Sequence, residues 1–267
     1  MSERVFAVVA GGGTAGHVLP GLAVVDALEA SGHPRQTVRW LGSARGVEAS
    51  MVPDAAIELL ALPGRGIERR LSVASITALL SIARAVWSGV RAVRRWRPQV
   101  VLALGGYSAV PGIVGAALWR VPLVVAEQNA RAGLANRLAA VVARACAVPF
   151  PETDLRKARV TGNPVRPEVL AIDVVRDRAA ARTTLELPAD RLVVGVFAGS
   201  LGSRHLNDCV RELAVRWADR SDLAIHHGIG AGSRSTIPVT LSVGKISVMA
   251  CATDGFALRA PSAAWTW

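Results

Sequence analysis

Residues 11–17 read Gly11-Gly12-Gly13-Thr14-Ala15-Gly16-His17, a glycine run closed by a histidine. Between a strand and a helix, such a run leaves backbone N–H groups bare, and bare amides at a helix start face anions, phosphates above all. Gly11, Gly13 and Gly16 satisfy G-x-G-x-x-G. A dinucleotide site also wants a carboxylate at the end of the next strand to hold ribose. That strand ends Arg39-Trp40-Leu41-Gly42-Ser43 with none, and no Lys stands where a Walker loop needs one. NAD and ATP both lose ground, while an anion-facing loop and a plain strand-to-helix turn stay open. His17 could take a proton from a substrate hydroxyl, or only bond to its neighbours.

Two more loops carry polar groups after apolar runs. Gly105-Gly106-Tyr107-Ser108 offers bare amides and hydroxyls, and Glu127-Gln128-Asn129 offers a carboxylate and two amides suited to a sugar or base. Each could be an ordinary polar loop; lining one cleft, the three would make a site. Metal chemistry finds no support, since there is no Asp-x-Asp, no HExxH and no Cys/His cluster, so no metal or other cofactor is expected. A nucleophile elbow G-x-S-x-G is also missing.

The elements that must hold these loops alternate. Strands are expected at Val5–Ala10, Thr37–Leu41, Ile57–Leu62, Val100–Leu104, Leu123–Ala126 and Ala145–Val148, with helices at Gly21–Ala30, Ser72–Trp96, Ala109–Trp119 and Leu134–Ala143. This pattern predicts an α/β fold, a doubly wound parallel sheet with ligands at the carboxyl ends of its strands. After Gly162-Asn163-Pro164-Val165-Arg166-Pro167 comes a helix around Arg176–Leu185, and then the device repeats. The apolar run 192–197 enters Ala198-Gly199-Ser200-Leu201-Gly202 and a helix at Arg204–Trp217. The expected division is 1–164 as a first Rossmann-like domain, 165–227 as the start of a second, and 228–267 as an atypical tail. That tail has four charged residues and no 3.6-residue stripe, so a truncation or frameshift after His227 is expected.

The formal charge of +11 favours acidic partners, or reflects an arginine-rich composition. Arg65 to Arg97 holds eight arginines against Glu68 alone, around the apolar stretch Leu71–Trp87. Such a stretch could adhere to an anionic membrane surface or be a core helix with a basic outer face. Nucleic acid is disfavoured, because basic and aromatic residues do not interleave. The uncharged run 98–119 is broken by Gly105-Gly106 and Pro111-Gly112, so it reads as strand, loop and buried helix rather than a membrane span. Cys146, Cys209 and Cys251 are widely spaced and read as unpaired thiols.

Taken in order, Gly12–His17, Gly105-Gly106-Tyr107, Glu127-Gln128-Asn129 with Ala132–Asn136, Gly162–Arg166 and Gly199–Gly202 resemble the MurG family over about residues 4–227. The resemblance implies a two-domain, metal-independent, inverting glycosyltransferase of GT-B type. The implied reaction moves GlcNAc from UDP-GlcNAc to the MurNAc 4-hydroxyl of undecaprenyl-linked lipid I, at the cytoplasmic face of the cell membrane. His17 would be the base. Thr14, Ala15, Gly16, Asn129, Arg166 and Ser200 would contact the UDP-sugar, and Gly12, Gly13, Gly105, Gly106, Tyr107, Glu127 and Gln128 would face the acceptor. Ala198 and Ser203 depart from the pattern tolerably. Nothing in 228–267 matches the family's donor-gripping segments, which leaves a second expectation: an inactive form acting at most as a lipid I- or membrane-binding module.

Overall fold

A computed structural model describes residues 4–63, 74–198, 202–229, 240–243 and 246–251. The chain divides into two compact units, Met1–Leu170 and Ala171–Trp267.

In the first unit the elements run β1 (Ala7–Gly11), α1 (Ala15–Ala30), β2 (Val38–Ser43), α2 (Glu48–Asp54), β3 (Glu58–Leu62), α3 (Ala74–Trp96), β4 (Val100–Gly105), α4 (Val110–Leu118), β5 (Leu123–Ala126), α5 (Leu134–Val142), β6 (Ala145–Val148), β7 (Ala158–Val160) and α6 (Pro167–Leu170). The strands form one seven-stranded parallel sheet in the order β3-β2-β1-β4-β5-β6-β7. From β1 the chain builds outward through β2 and β3, then returns to lay β4 on the other side. The crevice between the carboxyl ends of β1 and β4 is therefore the switch point where doubly wound sheets bind ligands.

Alternation along the central strands feeds two cores. Val8, Ala10, Val101, Ala103 and Val125 face α3 and α5, with buried Ala85, Val93 and Ala139. Ala7, Val9, Val38 and Trp40 face the other way, onto Val18, Leu22 and Val25 of α1 and Val52 of α2. Those α1 positions follow the helical spacing that makes one apolar stripe. Small residues let the layers close. A Cβ on Gly112 would stand 2.5 Å from the Ala10 Cβ, and one on Gly21 would stand 2.5 Å from both Leu104 and Trp40.

The six expected strands of this unit are all present, and α1 begins earlier than expected. The helix runs from Ala15 through Pro20, its sixth residue, and does without the one i→i−4 bond that a Pro20 N–H would have made. Helix α2 and strand β7 were not anticipated, being only seven and three residues long.

The second unit contains α7 (Val174–Thr184), β8 (Leu192–Phe197), α8 (Arg204–Arg216), β9 (Leu223–Gly228), β10 (Thr240–Val243) and β11 (Ile246–Cys251). Asp173 and Ser203 cap the two helices by accepting backbone amides. The sheet order is β10-β11-β9-β8, with β8, β9 and β11 parallel and β10 antiparallel to β11. Two strands thus arise inside 228–267. The signal there has period two (Thr240-Leu241-Ser242-Val243, Ile246-Ser247-Val248-Met249), which a search for helical stripes passes over.

Trp40 ties the core under α1 and α2 to the glycine loop. Its ring is fully buried, and Nε1–H donates to the Gly11 carbonyl at 2.8 Å. Trp40→Phe removes that hydrogen bond and leaves a void beside Gly21, and should cost about 2–4 kcal/mol in urea unfolding. A loss under about 0.5 kcal/mol would contradict this anchoring.

Candidate active site

All three polar loops emerge at the carboxyl end of the sheet, after β1, β4 and β5. In the first loop, backbone conformation explains the glycines: Gly13 has φ +92°, a region that side chains disfavour. Thr14 is the N-cap of α1, Ala15 and Gly16 open the helix, and half-buried His17 lies in its first turn. Thr14 Oγ1 stands 3.1 Å from His17 Nδ1. A hydroxyl can donate or accept, so this contact fits either imidazole tautomer and fixes the ring.

Across the crevice, Gly105 and Gly106 have φ +96° and +74°, and Tyr107 is partly exposed. The loops touch. A Cβ on Gly106 would lie 3.5 Å from the Gly12 carbonyl oxygen, and one on Gly105 would lie 2.9 Å from Asn136 Nδ2. The Tyr107 phenol also donates to Ser43 Oγ at 3.0 Å, joining the second loop to the end of β2.

The third loop is built around Glu127, which is 3% exposed. Its Oε1 accepts the amides of Gln128 and Asn129 and the Asn129 Nδ2–H; its Oε2 accepts the Gly133 amide and Asn136 Nδ2–H, all within 3.0 Å. Burial alone would raise the Glu127 pKa, but the hydrogen bonds from Asn136, Asn129 and Gly133 outweigh it and hold the carboxyl below the ordinary Glu value. The donors to this carboxyl come from its own loop and the first turn of α5, so Glu127 presents Asn129, which is exposed, rather than itself. Gln128 turns inward and donates to the Ala126 carbonyl at 3.0 Å.

The segment after β7 returns to this loop, where Asn163 Nδ2–H donates to the Gln128 carbonyl at 3.3 Å. Half-buried Arg166 follows, with no side-chain hydrogen bond or ion pair among the described residues. Of the expected site residues, Gly12, Gly13, Thr14, Ala15, Gly16, His17, Gly105, Gly106, Tyr107, Glu127, Gln128, Asn129 and Arg166 all lie in the first unit. Ser200 lies outside the described residues, as does Arg65. Sequence reading passed over Glu48, the first residue of α2, whose carboxyl is fully buried beneath the first loop. Its only trace in the sequence is a carboxylate that follows Gly42 and Gly46 a few residues past a strand end. Among the described residues, no group of three or more His, Cys, Asp or Glu could hold a metal ion.

Residues 7–148, from β1 to the end of β6, match the glycosyltransferase family 28 N-terminal domain. The chain belongs to glycosyltransferase family 28. Curated relatives in this family include the UDP-N-acetylglucosamine--N-acetylmuramyl-(pentapeptide) pyrophosphoryl-undecaprenol N-acetylglucosamine transferase of Dechloromonas aromatica. It is 40% identical over 227 residues, 83% of this chain and 60% of the relative. The enzyme of the same name from Clavibacter michiganensis is 41% identical over 231 residues, 86% of this chain and 62% of the relative. This family 28 chain therefore spans about 60% of the length of those relatives. Among solved structures, Acinetobacter baumannii MurG matches with a TM-score of 0.63 and 26% identity, over 91% of this chain and 67% of that one. A UDP-GlcNAc 2-epimerase from Neisseria meningitidis shares the fold alone, at a TM-score of 0.55 and 17% identity. The expected α/β fold of GT-B type holds, with MurG among the structural neighbours.

Glu127 gives a pH-dependent test. With its folded pKa depressed below the unfolded value of about 4.5, its contribution is fully present above that pH and is lost as pH falls through the folded pKa. Glu127→Gln turns one acceptor into a donor facing donors, so it should cost about 2–4 kcal/mol at pH 7. Urea unfolding across pH should show that deficit shrinking below about pH 4.5. A deficit constant with pH would overturn the assignment.

Proposed function

We propose that this chain transfers GlcNAc from UDP-GlcNAc to the MurNAc 4-hydroxyl of undecaprenyl-linked lipid I, making lipid II, with the first unit supplying the acceptor side. The observation that carries this reading is the junction of three loops at the β1/β4 switch point, with His17 at its mouth. Relatives whose names state that transfer support it.

The chemistry follows from the tautomer. To take the proton of the attacking hydroxyl, imidazole Nε2 must keep its lone pair, so Nδ1 must carry the hydrogen. Thr14 Oγ1 at 3.1 Å is then the acceptor that holds that form and fixes the ring. Glu127 orients Asn129 toward the sugar. Inversion in one displacement leaves negative charge on departing UDP, which Arg166 and the amides of Thr14, Ala15 and Gly16 can stabilise without a cation.

The same reading puts the protein on the cytoplasmic face of the cell membrane. Its support is the surface where α3 meets the end of α4. Trp87 is 69% exposed there and Trp119 is 43% exposed, the latter beneath the Arg94 guanidinium at 4.9 Å. Arg84, Arg91, Arg95 and Arg97 are exposed nearby. Among the described residues, no helix is long and apolar enough to cross a membrane. Anionic headgroups would meet the arginines while the indoles enter the interface.

A second reading, which the exposed indoles and arginines of that surface favour, is acceptor or membrane binding without transfer. Labelled UDP-GlcNAc with a short-chain lipid I analogue separates the two, since acceptor binding without donor binding or transfer sinks the first. Where transfer occurs, His17→Ala should lower kcat by about 10²–10⁴. Thr14→Val should lower it by roughly tenfold or more, with Thr14→Ser restoring it; transfer that survives His17→Ala refutes the base. For the surface, replacing Arg91, Arg94 and Arg95 together with Gln should weaken binding to phosphatidylglycerol vesicles roughly a hundredfold. Unchanged sedimentation with vesicles would rule that surface out.

A further inference from the structure

The carboxyl of Glu48 is fully buried, yet it bonds both the loop after β1 and the end of β2. Its Oε2 accepts the Gly13 amide at 2.7 Å, bridging 35 residues of sequence. Its Oε1 accepts the Ser43 amide, also at 2.7 Å. Ser43 in turn receives the Tyr107 phenol on Oγ at 3.0 Å and the Arg45 amide at 3.1 Å. One side chain therefore binds the loop that carries His17 to the strand corner that holds Tyr107.

Three glycines make room for it. A Cβ on Gly12 would lie 2.2 Å from the Glu48 Cδ, one on Gly42 would lie 2.7 Å from its Cγ, and one on Gly46 would lie 2.0 Å from its Oε2. Such distances leave no space for any side chain at these positions. The Gly13 amide consequently points inward at a carboxyl, not outward at a phosphate. With no exposed surface, Glu48 touches neither ligand nor ribose, and whatever it does it does through the loops.

We propose that Glu48 is a positioning residue, whose carboxyl locks the His17-bearing glycine loop to the end of β2 and thereby fixes the two acceptor-facing loops against each other. This rests on the reading of those loops as acceptor-facing. In Glu48→Gln, one oxygen becomes an NH₂ that opposes a backbone N–H, so one of the two anchors fails and the loop is released. Gly46→Ala perturbs the same lock from outside, by steric displacement of Oε2, without altering the acid.

The test uses the full chain, labelled with ¹⁵N. In Glu48→Gln, hydrogen exchange at the Gly13 and Ser43 amides should accelerate at least tenfold. The His17 ring signals should move, exchange within β4 and β5 should hold, and affinity for a short-chain lipid I analogue should fall at least tenfold by calorimetry. Gly46→Ala should reproduce this pattern, and it decides the matter if Glu48→Gln does not fold. Unchanged protection at both amides, or a loss spread evenly over the sheet, overturns the proposal. So does loosening of both amides with analogue affinity intact. If the wild-type chain binds no analogue, the acceptor reading has failed, and amide exchange with the His17 signals alone decides whether Glu48 locks the loop.

Discussion

Backbone amides that leave a parallel sheet at the carboxyl ends of its strands need acceptors, and in this chain two buried carboxyls provide them. Glu48 takes the amides that follow β1 and close β2, and Glu127 takes those that follow β5. A buried carboxyl with every oxygen hydrogen-bonded is tolerable, whereas one with a missing partner is costly. Each acid therefore dictates a loop shape as strictly as the loop dictates the acid's place. The surfaces a ligand would meet, His17, Tyr107 and Asn129, are held from behind by these two groups.

This arrangement revises the meaning of the glycines. Gly13 does adopt a backbone conformation that side chains avoid, as a phosphate loop would. Gly42 and Gly46 have ordinary negative φ and need no such freedom; they are glycine because a carboxyl occupies the space a Cβ would fill. The same sequence feature thus records backbone conformation at one position and enclosed volume at two others.

Much of the frame was legible in the residues. Val5–Ala10, Val100–Leu104 and Leu123–Ala126 are short, β-branched and free of charge, which suits strands buried on both faces. The loops that follow carry glycines and polar groups in sharp contrast to those runs. Glu48 escaped because its partners are amides 35 and 5 residues away, and amides are invisible in a sequence. Glu127 was legible as a site residue, but not as a group that spends its bonds on its own loop and the start of α5. In 228–267 the pattern changes from helical to period two, so an expectation framed on helical stripes overlooked β10 and β11.

Helix α4 starts three residues beyond Tyr107 and ends beside Trp119, so one rigid element joins the glycine loop to the aromatic and basic surface. Nine helical residues span about 14 Å. If that surface rests on a bilayer, α4 acts as a ruler. Its length caps how far above the lipid the loops can stand and so, on the proposed acceptor reading, how much of a lipid-linked headgroup must leave the interface to reach His17. Lengthening or shortening the polar linker of an acceptor would then change its fit by height, with every contact in the crevice left as it is.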